Sequence, residues 1–353
     1  MVAFGNRLVG DGAPVFITLE AGPTHNGLES AKQLVAHAAA AGADAIKFQI
    51  VDPDRLVADR KLPFTYEVLV DRASGKTETV TEPLYDILCR RSLAPDEWRE
   101  LKQYCDQKNL AFFATVAFED ELEMVAKLGC DSIKIASADV DHFPFIRKAA
   151  RTGLCLQLDT GNATIGEIEA AIDVIRAEGN ENIIIHHCPS GYPARLESIN
   201  LNVIPTLKRM FSYPVAFSDH TPGWDMDVAA VAMGANMVEK TITLDRTTRS
   251  VEHIMSLEPA DMHRFVRVIR EIEVAKGSCR RIMSPTEAEK RRTYRRSIHL
   301  NKDLPAGHIL TEADFAYARP GVGISPRDID RVVGKTLRHA RPAQHRLEWS
   351  DLN

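Results

Sequence analysis

An α/β fold, a closed (β/α)8 barrel followed by a small β-rich domain, is the class this sequence predicts, and three observations predict it. About eight short β-rich apolar runs recur along the first 280 residues of the 353-residue chain. Amphipathic, alanine-rich stretches with apolar residues at three-to-four spacing separate those runs, as βα units of a parallel sheet require. Past Lys276 the alternation stops, giving way to basic polar chain and then to short strand-like pieces with turn signals.

Taken in order, the predicted strands are Val15 to Glu20, Asp44 to Ile50, Ala111 to Val116, Ser132 to Ala136, Leu154 to Asp159, Asn182 to His187, Val215 to Ser218 and Met237 to Thr241. Predicted helices follow them at Leu28 to Ala41, Pro95 to Lys108, Asp120 to Leu128, Phe145 to Thr152, Thr164 to Glu178, Asn200 to Met210, Asp225 to Gly234 and Ala260 to Lys276. That count closes a barrel. The polar stretch Val51 to Arg91 is longer than an ordinary βα connection, so it is expected to be a functional lid or to carry small elements of its own. The domains therefore read as a barrel over 1–280, a basic linker over 281–296 and a β-rich module over 297–353. The linker is a solvated connector or a source of arginines facing an anionic substrate.

Composition narrows the function. A formal net charge of -5 argues against a generally basic surface, so no nucleic-acid partner is expected and any phosphate site must be local. No apolar run is long enough to span a bilayer, and the N-terminal residues lack a signal-peptide core, so no membrane partner and a cytoplasmic location are expected. The six cysteines are dispersed, without metal-type pairing or disulfide density, and Cys155 and Cys188 read as packing residues.

In a βα barrel the chemistry sits at the C-terminal ends of the strands, and here every predicted strand ends in polar residues. The first ends in Glu20, with His25 and Asn26 in the next loop; the second places Lys47 and Gln49 on one face. Thr115 ends the third. The fourth carries Lys134 and leads to Ser137 and Asp139, and the fifth ends in Asp159 and Thr160. Then come His186 and His187, Ser218 with Asp219 and His220, and finally Lys240 and Thr241. A lysine inside an apolar strand needs an anionic partner. Either Lys47 and Lys134 pair with Glu20 or Asp159, or they converge with Ser137 and Ser218 on a phosphate or carboxylate. His220, where a strand meets its loop, suits a metal ligand or general acid. Of His186 and His187, alternation turns one inward and the other outward.

Those residues stand in motifs that resemble the sialic acid synthases, including the spore-coat polysaccharide synthases. The motifs are LEAGPTHNG, AGADAIKFQ, IKIAS, LDTG, HHCPSGYP, FSDHT and SLEP, with RRSI, ARPGVGI, VVGK and WSDL resembling an antifreeze-like (SAF) domain at the end. The resemblance implies a TIM barrel that condenses phosphoenolpyruvate with an N-acyl amino sugar, giving a nonulosonic acid and phosphate for surface polysaccharide synthesis. It implies that Lys47, Thr115, Lys134, Ser137, Ser190 and Ser218 hold phosphoenolpyruvate. Gln49, Asp139, Tyr192 and Glu252 would meet the sugar, as would Arg319 from the partner in a domain-swapped homodimer. Glu20 and His220 are the implied catalytic residues.

The resemblance also implies a divalent metal, manganese or magnesium, held by His220 and a second histidine. Thr241 stands at that second position, and a hydroxyl is a poorer ligand than imidazole. Several readings follow: a weak or relocated site using His253 or Glu20, a metal-independent synthase or aldolase acting on another sugar, or a non-catalytic sugar-binding relative.

Overall fold

The structure is a computed structural model that describes all 353 residues. Chain contacts divide it into two compact units, Met1–Gly277 and Ser278–Asn353.

The first unit opens with a short antiparallel hairpin, β1 (Val2–Phe4) and β2 (Arg7–Val9). Eight parallel strands then close a barrel: β3 (Phe16–Glu20), β4 (Ala45–Gln49), β7 (Ala111–Thr115), β8 (Ser132–Ile135), β9 (Cys155–Asp159), β10 (Ile183–His187), β11 (Val215–Asp219) and β12 (Met237–Thr241). The final strand pairs back onto the first, with Thr241 beside Glu20. Between β4 and β7 the long polar connection folds into a helical turn, Pro53–Leu56, then an antiparallel hairpin of β5 (Pro63–Asp71) and β6 (Lys76–Pro83), then a helix, Leu84–Cys89. The connection thus carries elements of its own, and Tyr66, Val68, Val80 and Ile87 bury a small core with Val251.

Strand alternation sorts the barrel residues into two faces. Ile17, Leu19, Ile46, Phe48, Phe112, Ile133, Leu158, Ile185, Phe217 and Val238 face the surrounding helices, and there the main core forms. The helix Leu28–Ala41 shows how the sequence selects its element. Ala31, Leu34, Val35 and Ala38 fall on one face, and Gly42 ends the helix at φ 84°, a left-handed conformation that suits glycine.

Inside the barrel, the bottom is apolar and the top polar. Phe16, Ala45, Phe113, Cys155, Ile184, Ala216 and Met237 meet Val2, Phe4 and Val9 of the N-terminal hairpin. The Phe4 ring lies 4.5 Å from Phe16 and 5.4 Å from Phe113. This hairpin, which sequence periodicity did not predict, plugs the end of the barrel opposite the site.

In the second unit, β13 (Ser297–Leu300) and β14 (Phe315–Ala318) pair antiparallel over a core of Ile298, Leu300, Leu310, Val332, Leu337 and Leu347. Buried Asp314 accepts from the Thr311 amide at 2.8 Å and pairs with Lys302 at 2.8 Å. Those donors outweigh its burial and hold its carboxyl far below the usual range. The stretch read as a linker is helical over Pro285–Tyr294. Its start is encoded locally: the Ser284 side chain accepts from the Glu287 amide at 3.1 Å, while the Glu287 carboxylate accepts from the Ser284 amide at 2.8 Å.

Candidate active site

The polar upper half of the barrel surrounds a cavity of about 330 Å³ at the C-terminal ends of the strands. Its floor is an ionic cluster. Lys47, on β4, pairs with Glu20 of β3 and lies 2.8 Å from Glu239 Oε1 of β12. Lys134, on β8, approaches the same Glu239 oxygen at 2.7 Å and Asp159 Oδ2 of β9 at 3.1 Å. The Ser218 hydroxyl of β11 donates to Glu239 at 3.0 Å, with Lys134 Nζ 3.5 Å away. The lysines thus pair with Glu20 and Asp159, as the first alternative has it, and meet on Glu239, with Ser218 beside Lys134. Ser137 lines the same cavity above them.

Burial and pairing oppose one another in this cluster. Burial favours a neutral Glu239, yet Lys134 and then Lys47 outweigh it and hold the carboxyl well below its ordinary value. Asp159 is likewise lowered against its burial, chiefly by Lys134. Lys134 is raised because Asp159 and Glu239 overcome its desolvation, so it stays an ammonium. Lys47 goes the other way: burial lowers it, Glu239 opposes, and the neighbouring Lys134 charge lowers it further. Of the two, Lys47 gives up its proton more readily.

Of the histidine pair, His186 turns inward and His187 outward. His187 Nε2 contacts the Ile199 carbonyl at 2.6 Å among the surrounding helices. His186 contacts Gln157 Oε1 through Nε2 at 2.8 Å, while the Gln157 amide donates to Ser132 Oγ at 3.0 Å and that hydroxyl to the Cys155 carbonyl at 2.7 Å. This chain of donors places the His186 proton on Nε2 and leaves Nδ1 as a lone pair 4.0 Å from Glu239 Oε2. Burial, and then Lys134, lower His186 to about 3, so it is neutral.

Gln49, Thr115, Asp139, Tyr192, His220 and Glu252 complete the walls, with Phe64, Leu84, Ile87, Leu88 and Arg91 from the β4–β7 connection closing one side. Burial raises Asp139 above its ordinary value. Tyr192 packs on His220, with ring centroids 4.7 Å apart. His220 Nδ1 lies 3.1 Å from the Pro189 carbonyl, which can only accept, so Nδ1 carries hydrogen and Nε2 is the nitrogen left for chemistry. Glu20 is held from two sides, by Lys47 and by the Gly22 amide, which donates to Oε1 at 2.5 Å. Gly22 is required by space: a Cβ there would stand 2.5 Å from Glu20 Oε1 and 2.7 Å from the Gln49 amide nitrogen.

Four expected residues are not on the cavity wall. Ser190 is exposed and its hydroxyl donates to Asn162 at 2.8 Å, so the structure does not bring it to the anion cluster. Thr241 is buried in β12 beside Glu20 in register, yet it does not line the cavity. His253 spends Nδ1 on the Thr243 hydroxyl at 2.7 Å and is buried, which makes it a packing residue. Arg319 belongs to the second unit, where its Nε donates to the Tyr294 carbonyl at 2.9 Å and its guanidinium lies over the Tyr294 ring.

Lys240 also differs from expectation. It points away from the barrel axis and pairs with Asp219 and the Thr221 carbonyl. The inward charged residue of that strand is Glu239, which sequence reasoning passed over. The signal was present: Met237, Glu239 and Thr241 share one face of β12, and two buried lysines require carboxylates.

These placements bear on the metal. His220 offers one imidazole nitrogen, Thr241 offers only a hydroxyl and is not among the residues lining the cavity, and His253 is buried off the cavity wall with Nδ1 against Thr243. Glu20 is bound to Lys47 and Gly22, and no group of three potential ligands gathers at the mouth. The donors present do not fit a two-histidine metal site.

A parallel barrel whose mouth holds buried lysines, carboxylates and a free imidazole nitrogen defines a class: a barrel with a pocket built for a small polar substrate. Comparison with known proteins specifies it. Residues 34–281 match the NeuB family and residues 295–352 the SAF domain. N,N'-diacetyllegionaminic acid synthase of Legionella pneumophila is 33% identical over 97% of this chain and 96% of its own. Spore coat polysaccharide biosynthesis protein SpsE of Bacillus subtilis is 34% identical over 100% of this chain and 98% of its own. The crystal structure of N-acetylneuraminic acid synthetase from Leptospira borgpetersenii shares a TM-score of 0.71 at 30% identity, covering 82% of this chain and 94% of that one. The chain belongs to the NeuB family, whose named members include synthases of sialic and related nonulosonic acids.

Proposed function

We propose that this protein condenses phosphoenolpyruvate with an N-acyl amino sugar to give a nonulosonic acid and phosphate for surface polysaccharide synthesis. The observation that carries this reading is the pair of ammoniums, Lys47 and Lys134, buried beside Ser218 at the floor of the cavity. Glu20, Glu239 and Asp159 offset those charges in the free protein, and what supports an anionic substrate is that Lys134 and the Ser218 hydroxyl beside it are donors on the cavity wall that a phosphate or carboxylate can take up. Phosphoenolpyruvate would take Lys47, Lys134 and Ser218 as partners, with Thr115 and Ser137 above them. Gln49, Asp139, Tyr192 and Glu252 would hold the sugar, and Arg319 of a partner copy would complete the site in a domain-swapped homodimer.

The chemistry requires C3 of the enol to attack the aldehyde carbon of the open-chain sugar. Water then adds at C2 and the C2–O bond to phosphate breaks. The lysines stabilise charge on phosphate and carboxylate throughout. His220 would give a proton from Nε2 to the aldehyde oxygen as the imidazolium, since Nδ1 is spent on the Pro189 carbonyl, and Glu20 would orient or take a proton from water. Because the donor set does not fit a metal, these steps rest on the protein's own groups, which favours metal-independent condensation as the form of the reaction.

Three carboxylates and two ammoniums make up the floor, so an incoming anion meets a net negative layer. Binding of the anion is therefore expected to be accompanied by proton uptake. Phosphate release from phosphoenolpyruvate, assayed with a panel of N-acyl hexosamines with and without manganese in metal-stripped buffer, tests the reading. Acceptor-dependent release is the expected result; no release with any acceptor would sink it.

A further inference from the structure

Arg91 lies on the cavity wall at the end of the β4–β7 connection, with the residue only 5% exposed. Its Nε and Nη2 are buried and have no hydrogen-bond partner. The adjacent Arg90 is the contrast: its guanidinium is bidentate on Glu82, at 2.6 and 3.0 Å. An arginine that is buried but has no carboxylate bound to it is costly, because the charge loses water without gaining an anion.

The groups facing it come from several elements. Glu252, Tyr192, Tyr66 and Arg90 are its charged or titratable neighbours, and Glu252 is close enough to favour the charged guanidinium without forming a salt bridge. Glu82 accepts from the Tyr66 hydroxyl at 2.6 Å and from Arg90, and makes no bond to Arg91. His25 and His253 also stand near; burial first, and the Arg91 charge second, lower both to about 4, so neither adds charge. Arg91 therefore lies on the part of the cavity wall that Tyr192 and Glu252 share.

We infer that Arg91 is a specificity-determining residue that binds an anionic group, a phosphate or a carboxylate, on the acceptor sugar. The inference rests on the synthase reading, with phosphoenolpyruvate at the lysines and the sugar between them and Arg91. Planar guanidinium donors suit either anion, and burial makes them discriminate strongly against an acceptor that lacks it.

The test compares three acceptors: an N-acyl hexosamine, its 6-phosphate and the corresponding hexuronic acid. The wild type should favour one anionic acceptor over the neutral parent. In Arg91→Gln, the ratio of kcat/KM for that acceptor to kcat/KM for the parent should fall by roughly tenfold to a hundredfold. Arg91→Lys should restore part of the ratio by keeping the charge. Which anionic acceptor is favoured identifies the group as phosphate or carboxylate. A ratio unchanged in Arg91→Gln, or a wild type that prefers the neutral sugar, would overturn the inference and make Arg91 a latent partner of Glu252. Calorimetric affinity for the hexosamine 6-phosphate and the hexuronic acid, measured on wild type and both variants, keeps the two readings separable. Absent turnover with an Arg91-dependent affinity would count against the synthase and for the anion site; affinity independent of Arg91 would reject the site.

Discussion

Removing Lys134 and Glu239 singly and together measures the ionic floor of the barrel. The two groups are 2.7 Å apart and almost wholly buried. At that separation two unit charges attract by about 6 kcal/mol at an effective dielectric near 20, before desolvation is counted. Breaking one such buried pair destabilises by about 3–5 kcal/mol, because the remaining charge stays without compensation. Lys134→Met and Glu239→Gln are each expected to fall in that range, moderated by Asp159 on one side and Lys47 on the other. Once both are gone neither leaves an orphan to the other, so the double variant should be more stable than the sum of the singles predicts, by about 1–3 kcal/mol. Urea unfolding of the four proteins at neutral pH reads this coupling. The pH dependence supplies a second check. Glu239 and Asp159 are held below their ordinary values, so the stability they contribute is present above the unfolded Glu239 value of 4.5 and is lost as pH falls through their lower folded values. In Lys134→Met both carboxyls lose their strongest counter-charge and titrate higher, so the deficit should shrink as pH is lowered toward that range. Additivity within about 0.5 kcal/mol, or a deficit that does not vary with pH, would refute the claim that one shared carboxylate ties the lysines together.

Other consequences are narrower. Gly22→Ala should displace Glu20 or the Gln49 backbone, destabilising by about 1–3 kcal/mol and reducing turnover; unaltered kinetics would mean the close approach is not needed. Thr241→His should tighten manganese binding at least about tenfold if that side chain can turn toward His220, and equal calorimetric affinities would show that the two positions do not meet. Phe4→Ala should lower unfolding stability by about 3–5 kcal/mol while leaving the affinity for phosphoenolpyruvate intact, since the hairpin plugs the end of the barrel away from the cavity.

The barrel was legible because each parallel strand is buried on both faces and each helix buries a single one, so the two periods separate cleanly. The helix Pro285–Tyr294 was not. It buries no residue, hence shows no apolar face, and only the Ser284 and Glu287 caps mark it. The plug hairpin escaped for another reason: three residues per strand are too few for alternation to register.

In the site, Lys47 and Lys134 could be read directly, since an ammonium within an apolar strand demands an explanation. Glu239 could be read only by asking which carboxylate answers them and by keeping the register of β12. Reading Lys240 and Thr241 together as strand-end residues obscured it. Arg91 carried no signal of its own, because its burial on the cavity wall depends on how the β4–β7 connection packs in three dimensions, which no local pattern encodes. Ser190 and His253 show the converse, since adjacency to a motif in sequence did not bring either to the cavity wall.

In the proposed reaction phosphoenolpyruvate, held by Lys47 and Lys134, joins the sugar through C3 and then loses phosphate by cleavage of its C2–O bond. Phosphoenolpyruvate labelled with oxygen-18 at the bridging oxygen tests it most directly, by mass spectrometry of the phosphate formed with and without an N-acyl hexosamine. Phosphate should appear only with the acceptor and should carry the label. Phosphate formed regardless of acceptor, or label left behind in the carbon product, would contradict it.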